Sequence, residues 1–124
     1  MKYLKQFEAL NSEILFTEAD VNDIKDAFID IVDEWSLVRV DVKEVGGPDG
    51  LPENDISYEI KLDNFDFILT IQIFIPIKYK FEKNKFEKDC DAFIKRVNQM
   101  GFRSKGFNKN PSFFYEFWTT AIKK

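Results

Sequence analysis

The run from Phe67 to Ile75 constrains the fold more than any other part of this sequence. Phe67, Leu69, Ile71, Ile73 and Ile75 fall on every second position, the two-residue period of a β-strand. Ile68 and Phe74 make the opposite face apolar as well, so the segment reads as a central strand covered on both sides. Pro76 lacks the backbone N–H that a ladder needs, and closes the strand.

The remaining elements follow from period and punctuation. Val38, Val40 and Val42 alternate with Arg39, Asp41 and Lys43, and Ile56, Tyr58, Ile60 and Leu62 alternate with Ser57, Glu59 and Lys61, giving two half-buried strands. Between them, Gly46 to Asp55 is a loop by its Gly, Pro and Asp content. Thr17 and Asp20 have capping-box spacing. Val21, Ile24, Phe28, Ile31, Val32 and Trp35 then recur at helical spacing. A second helix, starting near Asn84, buries Phe86, Cys90, Phe93, Ile94, Val97 and Met100, with Gly101 placed for a left-handed C-cap. Phe102–Phe107 and Ser112–Ile122 read as two strands joined through Asn108 to Pro111.

The expected fold is α+β: an antiparallel sheet of four to five strands packed on two helices, in the order α-β-β-β-α-β-β. Residues 17–124 form one domain behind an N-terminal arm of residues 1–16, in keeping with a length of 124 residues. The expected core contains Phe28, Ile31, Trp35, Val40, Tyr58, Ile60, Leu69, Ile71, Ile73, Phe93, Val97 and Phe117.

Several function classes are excluded by residue type. There is no His, which removes imidazole acid–base catalysis, His-based triads and most zinc sites. Cys90 is the sole cysteine, so no internal disulfide forms, which fits a reducing compartment. Met1 to Glu13 is charged and unlike a signal peptide, and the longest apolar stretch is too short and too polar to span a bilayer. A cytoplasmic protein without cofactor or membrane partner is the expectation.

Charge is unevenly distributed around the net value of −4. Residues 1–66 hold seventeen Asp and Glu against six Lys and Arg, while residues 67–124 hold five against twelve. The first helix concentrates the acids. Asp20, Asp23, Asp26, Asp30 and Asp33 recur at spacings of three and four, roughly opposite the Ile24–Phe28–Ile31 face. Like charges so placed repel by a few tenths of a kcal/mol per pair, a small stability cost that a docking surface for a basic partner would explain. The competing reading is a solvated face balanced by the basic second half of the same molecule.

Pro48-Asp49 followed by Glu59-Ile60-Lys61 resembles the signature of the restriction-endonuclease-like nucleases. That resemblance implies that Asp49 and Glu59 hold a divalent metal and that Lys61 polarises the attacking water, with Glu18 or Asp20 as a helix-borne acid. Here Pro48-Asp49 lies in the loop rather than on the strand before Glu59. A nucleic-acid surface is a further alternative, built from Lys78, Lys80, Lys83, Lys85, Arg103, Lys105 and Lys109 beside Phe102, Phe107 and Phe113. Cys90, on an apolar helix face, reads as a small core hydrophobe rather than a nucleophile.

Met1-Lys2-Tyr3-Leu4-Lys5-Gln6-Phe7-Glu8 resembles the N-terminal peptides of proteins packaged in the proheads of large tailed phages. Ile31-Val32-Asp33-Glu34-Trp35 and Met100-Gly101-Phe102 are similar to segments of small phage proteins. The resemblance implies a phage origin, and a virion interior as an alternative location. No catalytic constellation stands out, so the reading ranked first is a non-catalytic protein-binding module, a phage-encoded modulator of a host protein. Its alternatives are the nuclease, the packaged internal protein and the nucleic-acid binder.

Overall fold

Thr17 opens the first helix, as its spacing predicts. Its hydroxyl accepts the Asp20 N–H at 3.2 Å, and the Asp20 carboxylate accepts the Thr17 N–H at 2.9 Å. This reciprocal box starts α1 (Glu18–Trp35), which buries Ile24, Ala27, Phe28 and Ile31 and ends on Ser36 in the left-handed region at φ 52°. Such a cap contributes about 1 kcal/mol. In the second helix, α2 (Lys83–Gln99), the buried residues are Phe86, Cys90, Phe93, Ile94 and Val97. The chain then reverses through Gly101 at φ 102°, a conformation costly to any side chain with a Cβ.

The computed structural model describes residues 15–46, 50–63, 66–76, 79–80, 82–111 and 114–123. Among these the strands are β1 (Val38–Arg39), β2 (Ser57–Asp63), β3 (Ile68–Pro76), β4 (Phe102–Ser104), β5 (Asn108–Pro111) and β6 (Phe114–Lys123). They form one sheet in the order β1-β2-β3-β6-β4, with β5 also paired to β6. The α+β class is as expected, and β3 is the central strand.

Two features of the expected sheet need correction. The described residues hold six strands rather than four to five, and the sheet is mixed rather than antiparallel, because β1 runs parallel to β2. Parallel neighbours need a long connection, and residues 40–56 supply it. The extra strand is β5, placed by the sequence in a connector, which pairs with β6 from Asn108↔Trp118 to Pro111↔Tyr115.

Both helices cover the face of β3 that carries Leu69, Ile71, Ile73 and Ile75, joined by Phe117 and Ala121 from β6. Phe28 meets the Phe93 ring edge-on at 5.2 Å, and Trp35 meets Phe86 in the same way. Each fully buried Phe or Ile contributes about 1.5–3 kcal/mol through its apolar area, before the entropy of ordering it. Eight of the expected core residues are buried: Phe28, Ile31, Leu69, Ile71, Ile73, Phe93, Val97 and Phe117. Trp35, Tyr58 and Ile60 are partly buried against them. Val40 is only half-buried and lies outside the core, because the parallel register places Val38 and Val40 level with Ser57 and Glu59, on the face away from the helices. Phe16, the last residue of the expected arm, is buried and stacks on Phe102 at 5.5 Å, while residues 1–14 lie outside the described residues.

No helix among the described residues is long and apolar enough to cross a membrane.

Candidate functional site

The acidic face of α1 divides into two sets. Asp20, Asp30 and Glu34 turn toward cations of the second half of the chain: Asp20 to Lys123 at 2.8 Å, Asp30 to Arg96 at 3.4 Å, and Glu34 to Lys85. Burial alone would raise the Asp20 carboxyl, but hydrogen bonds from Lys123 and from Thr17 outweigh it and hold the group below its ordinary value. The Glu34 carboxylate, through its hydrogen bond, raises the Lys85 ammonium above its ordinary value. By contrast, Asp23, Asp26 and Asp33 are exposed, and none has a salt-bridge partner among the described residues. Ile29, one helical turn from both Asp26 and Asp33, is 48% exposed, the most exposed large apolar side chain among the described residues.

The nuclease-like residues occupy β2 and the loop before it. Asp49 lies outside the described residues. Glu59 and Lys61 share the face of β2 away from the helices, with Lys61 Nζ 3.9 Å from Glu59 Oε1. The other carboxylate oxygen of Glu59, Oε2, accepts the Val42 N–H at 2.5 Å. Asp20, on the helix-covered side, is separated from Glu59 by the sheet itself, and Glu18 is exposed on α1. Among the described residues no group of three or more Asp, Glu or Cys side chains is arranged to hold a metal ion.

The basic residues proposed for nucleic acid are spread over α2, β4, β5 and the segments beside them. Lys78 lies outside the described residues. Lys85 pairs with Glu34 and lies over the Trp35 ring, and Lys109 pairs with Glu87 and lies over Phe117. Register puts Lys109 level with Phe117 on the helix-covered face and Arg103 level with Ile122 on the other. Lys80, Lys83 and Lys105 are exposed. Cys90 is 3% exposed, and burial pushes its thiol up to about 12, which leaves no thiolate for chemistry near neutral pH.

Two further arrangements were not apparent in the sequence. Asn98 of α2 bonds both backbone groups of Ser104, accepting its N–H at 3.0 Å and donating to its carbonyl at 3.2 Å, which blocks the outer edge of β4. At the opposite end of the sheet, β1 leaves β2 after two residues and opens a groove of about 520 Å3. Arg39, Val40, Asp41, Lys43 and Glu44 line one wall, and the stretch of β2 from Glu59 to Asp63 lines the other. Gly50 is required where the loop returns, because a Cβ there would lie 1.7 Å from the Val45 carbonyl oxygen. Compared with known proteins, the chain matches no family model, no curated protein and no solved structure.

Proposed function

We propose that this chain is a non-catalytic protein-binding module that docks the outer face of α1 on a basic partner surface, as a phage-encoded modulator of a host protein would. The observation that carries this reading is the division of the acidic face. Three acids are paired within the molecule, whereas Asp23, Asp26 and Asp33 stay exposed, the last two one helical turn from an exposed Ile29. An apolar side chain bordered by unneutralised acids suits an interface with a small apolar centre and a charged rim. The repulsion among those acids falls when a basic surface arrives, which also raises the association rate.

The test is affinity capture from bacterial lysate by immobilised protein, comparing wild type with a variant carrying Asp23→Asn, Asp26→Asn and Asp33→Asn. The variant should fold at least as stably, because like-charge repulsion is removed. It should lose a partner that the wild type retains, with the larger difference at low salt. A partner captured equally by both proteins removes the α1 face from the reading.

A further inference from the structure

The groove beside β2 exists because a strand ladder stops early. The parallel bonds step by two residues: Val38 N–H to the Ile56 carbonyl, then Val40 N–H to the Tyr58 carbonyl, each 2.9 Å. Continued, the ladder would join Ile60 N–H to the Val40 carbonyl and Val42 N–H to the Ile60 carbonyl. Neither bond is present among the described residues. Val42 N–H turns instead to the Glu59 carboxylate, and Asp41 starts a turn in which its side chain accepts the Lys43 N–H at 3.0 Å. One more step would set Asp41 level with Ile60, on the same face as Arg39 and Tyr58.

The consequence is a bare sheet edge. In β2 the backbone groups of Glu59, Lys61 and Asp63 face β3, and by alternation those of Ile60 and Leu62 face the groove. Among the described residues the N–H and C=O groups of Ile60 and Leu62 on this side therefore have no partner, and they border the groove. Such a row is a template for an added strand.

We infer that this edge takes up an extended peptide whose side chains read apolar–acidic–apolar. Cross-strand neighbours fix that pattern. Residues set level with Ile60 and Leu62 meet their partly buried apolar side chains, and the residue between them meets Lys61, which is 41% exposed. The acids of the groove are largely engaged inside the molecule: Asp41 with the Lys43 N–H, Glu59 with the Val42 N–H and, at 3.9 Å, with Lys61, and Asp63 with the Thr70 hydroxyl at 2.7 Å. Arg39 and Lys43 are exposed on the facing wall, with no salt-bridge partner among the described residues. Glu44 is the groove acid without an internal donor there. The edge of a second copy reads Ile60-Lys61-Leu62, apolar–basic–apolar rather than apolar–acidic–apolar.

The experiment uses the full chain and two capped pentapeptides, Thr-Val-Glu-Val-Thr and Thr-Val-Lys-Val-Thr, with amide hydrogen exchange read residue by residue. Without peptide, the Ile60 and Leu62 amides should exchange fast while Glu59 and Lys61, bonded to β3, stay protected. The glutamate peptide at ten times its dissociation constant should slow Ile60 and Leu62 by about tenfold. A variant carrying Arg39→Gln and Lys43→Gln, both surface changes, should bind it several-fold more weakly. The inference is overturned if neither peptide slows those two amides, or if the lysine peptide slows them equally. It is also overturned if the two amides become protected by protein concentration alone, which would assign the edge to a second copy.

Discussion

Glu59 accepts the backbone N–H of Val42 at 2.5 Å, and this single bond marks where β1 parts from β2. Glu59 is 9% exposed, so removal of its carboxylate leaves a partly buried donor without a partner. Hydrogen bonds to charged groups contribute about 1.5–3 kcal/mol. Glu59→Ala should lower stability by that amount and speed exchange of the Val42 amide, whereas Glu59→Gln keeps an acceptor oxygen and should lose less than half as much. Equal urea midpoints for wild type and Glu59→Ala would refute the role given to this side chain.

Asp20 links the start of α1 to the end of β6 through Thr17 and Lys123. Burial works against its charge, but the hydrogen bonds from Lys123 and Thr17 prevail, so its folded value is depressed. A depressed carboxyl stabilises the fold above its unfolded value and loses that contribution as pH falls through the folded value. The stability gap between wild type and Asp20→Asn should therefore be full above about pH 5 and close in stronger acid. Denaturant unfolding across that range measures it, and a gap independent of pH would contradict the assignment.

Cys90 gives the opposite slope. Burial holds its thiol neutral up to about 12, against an ordinary value of 9.0. A raised value stabilises the fold fully below the unfolded value, and that contribution is lost as pH rises toward the folded one. Native protein at pH 8 should resist a disulfide exchange reagent, with labelling that follows global unfolding in urea. Cys90→Ala should flatten the alkaline limb of the stability profile. Rapid labelling in the absence of urea would place the thiol outside the core.

Ile71 is 1% exposed at the centre of the sheet, level with Ile60 on one side and Thr119 on the other. Ile71→Asp should abolish folding, since an unpaired buried carboxylate there costs several kcal/mol, a large part of a domain's whole stability. Native-like circular dichroism for this variant would remove β3 from the centre of the fold.

What was legible in the sequence is what local chemistry decides. Thr17 and Asp20 cap α1 because their spacing matches the orphan N–H groups of a first turn. The two-residue period of Leu69, Ile71, Ile73 and Ile75 likewise survives in β3. The features missed depend on distant partners. Asn108 to Pro111 carry turn-forming residues, yet β6 recruits them as a strand. Val38 and Val40 alternate as an inward face should, but the parallel register set by residues 57 and 58 turns that face away from the helices. The acidic stripe was visible as composition, whereas its division depended on where Lys85, Arg96 and Lys123 arrive. The bare edge of β2 was not legible at all, because Glu59 ends β1 from seventeen positions away.

Ser57 is fully buried, level with Phe74 of β3 and Val38 of β1, and its Oγ has no hydrogen-bond partner among the described residues. Burying a hydroxyl without a partner costs about 1–3 kcal/mol in proteins. Alanine removes that group and leaves a space smaller than a methyl group, while its weaker preference for strands takes back a few tenths of a kcal/mol. Ser57→Ala should therefore raise stability by about 1 kcal/mol, seen as a higher urea midpoint at an unchanged denaturant slope. Ser57→Val supplies the contrast: it also lacks the hydroxyl, but it must force extra methyl groups into a filled site, and should lower stability by about 1–3 kcal/mol. A loss of stability in both variants would show that the hydroxyl is bonded after all.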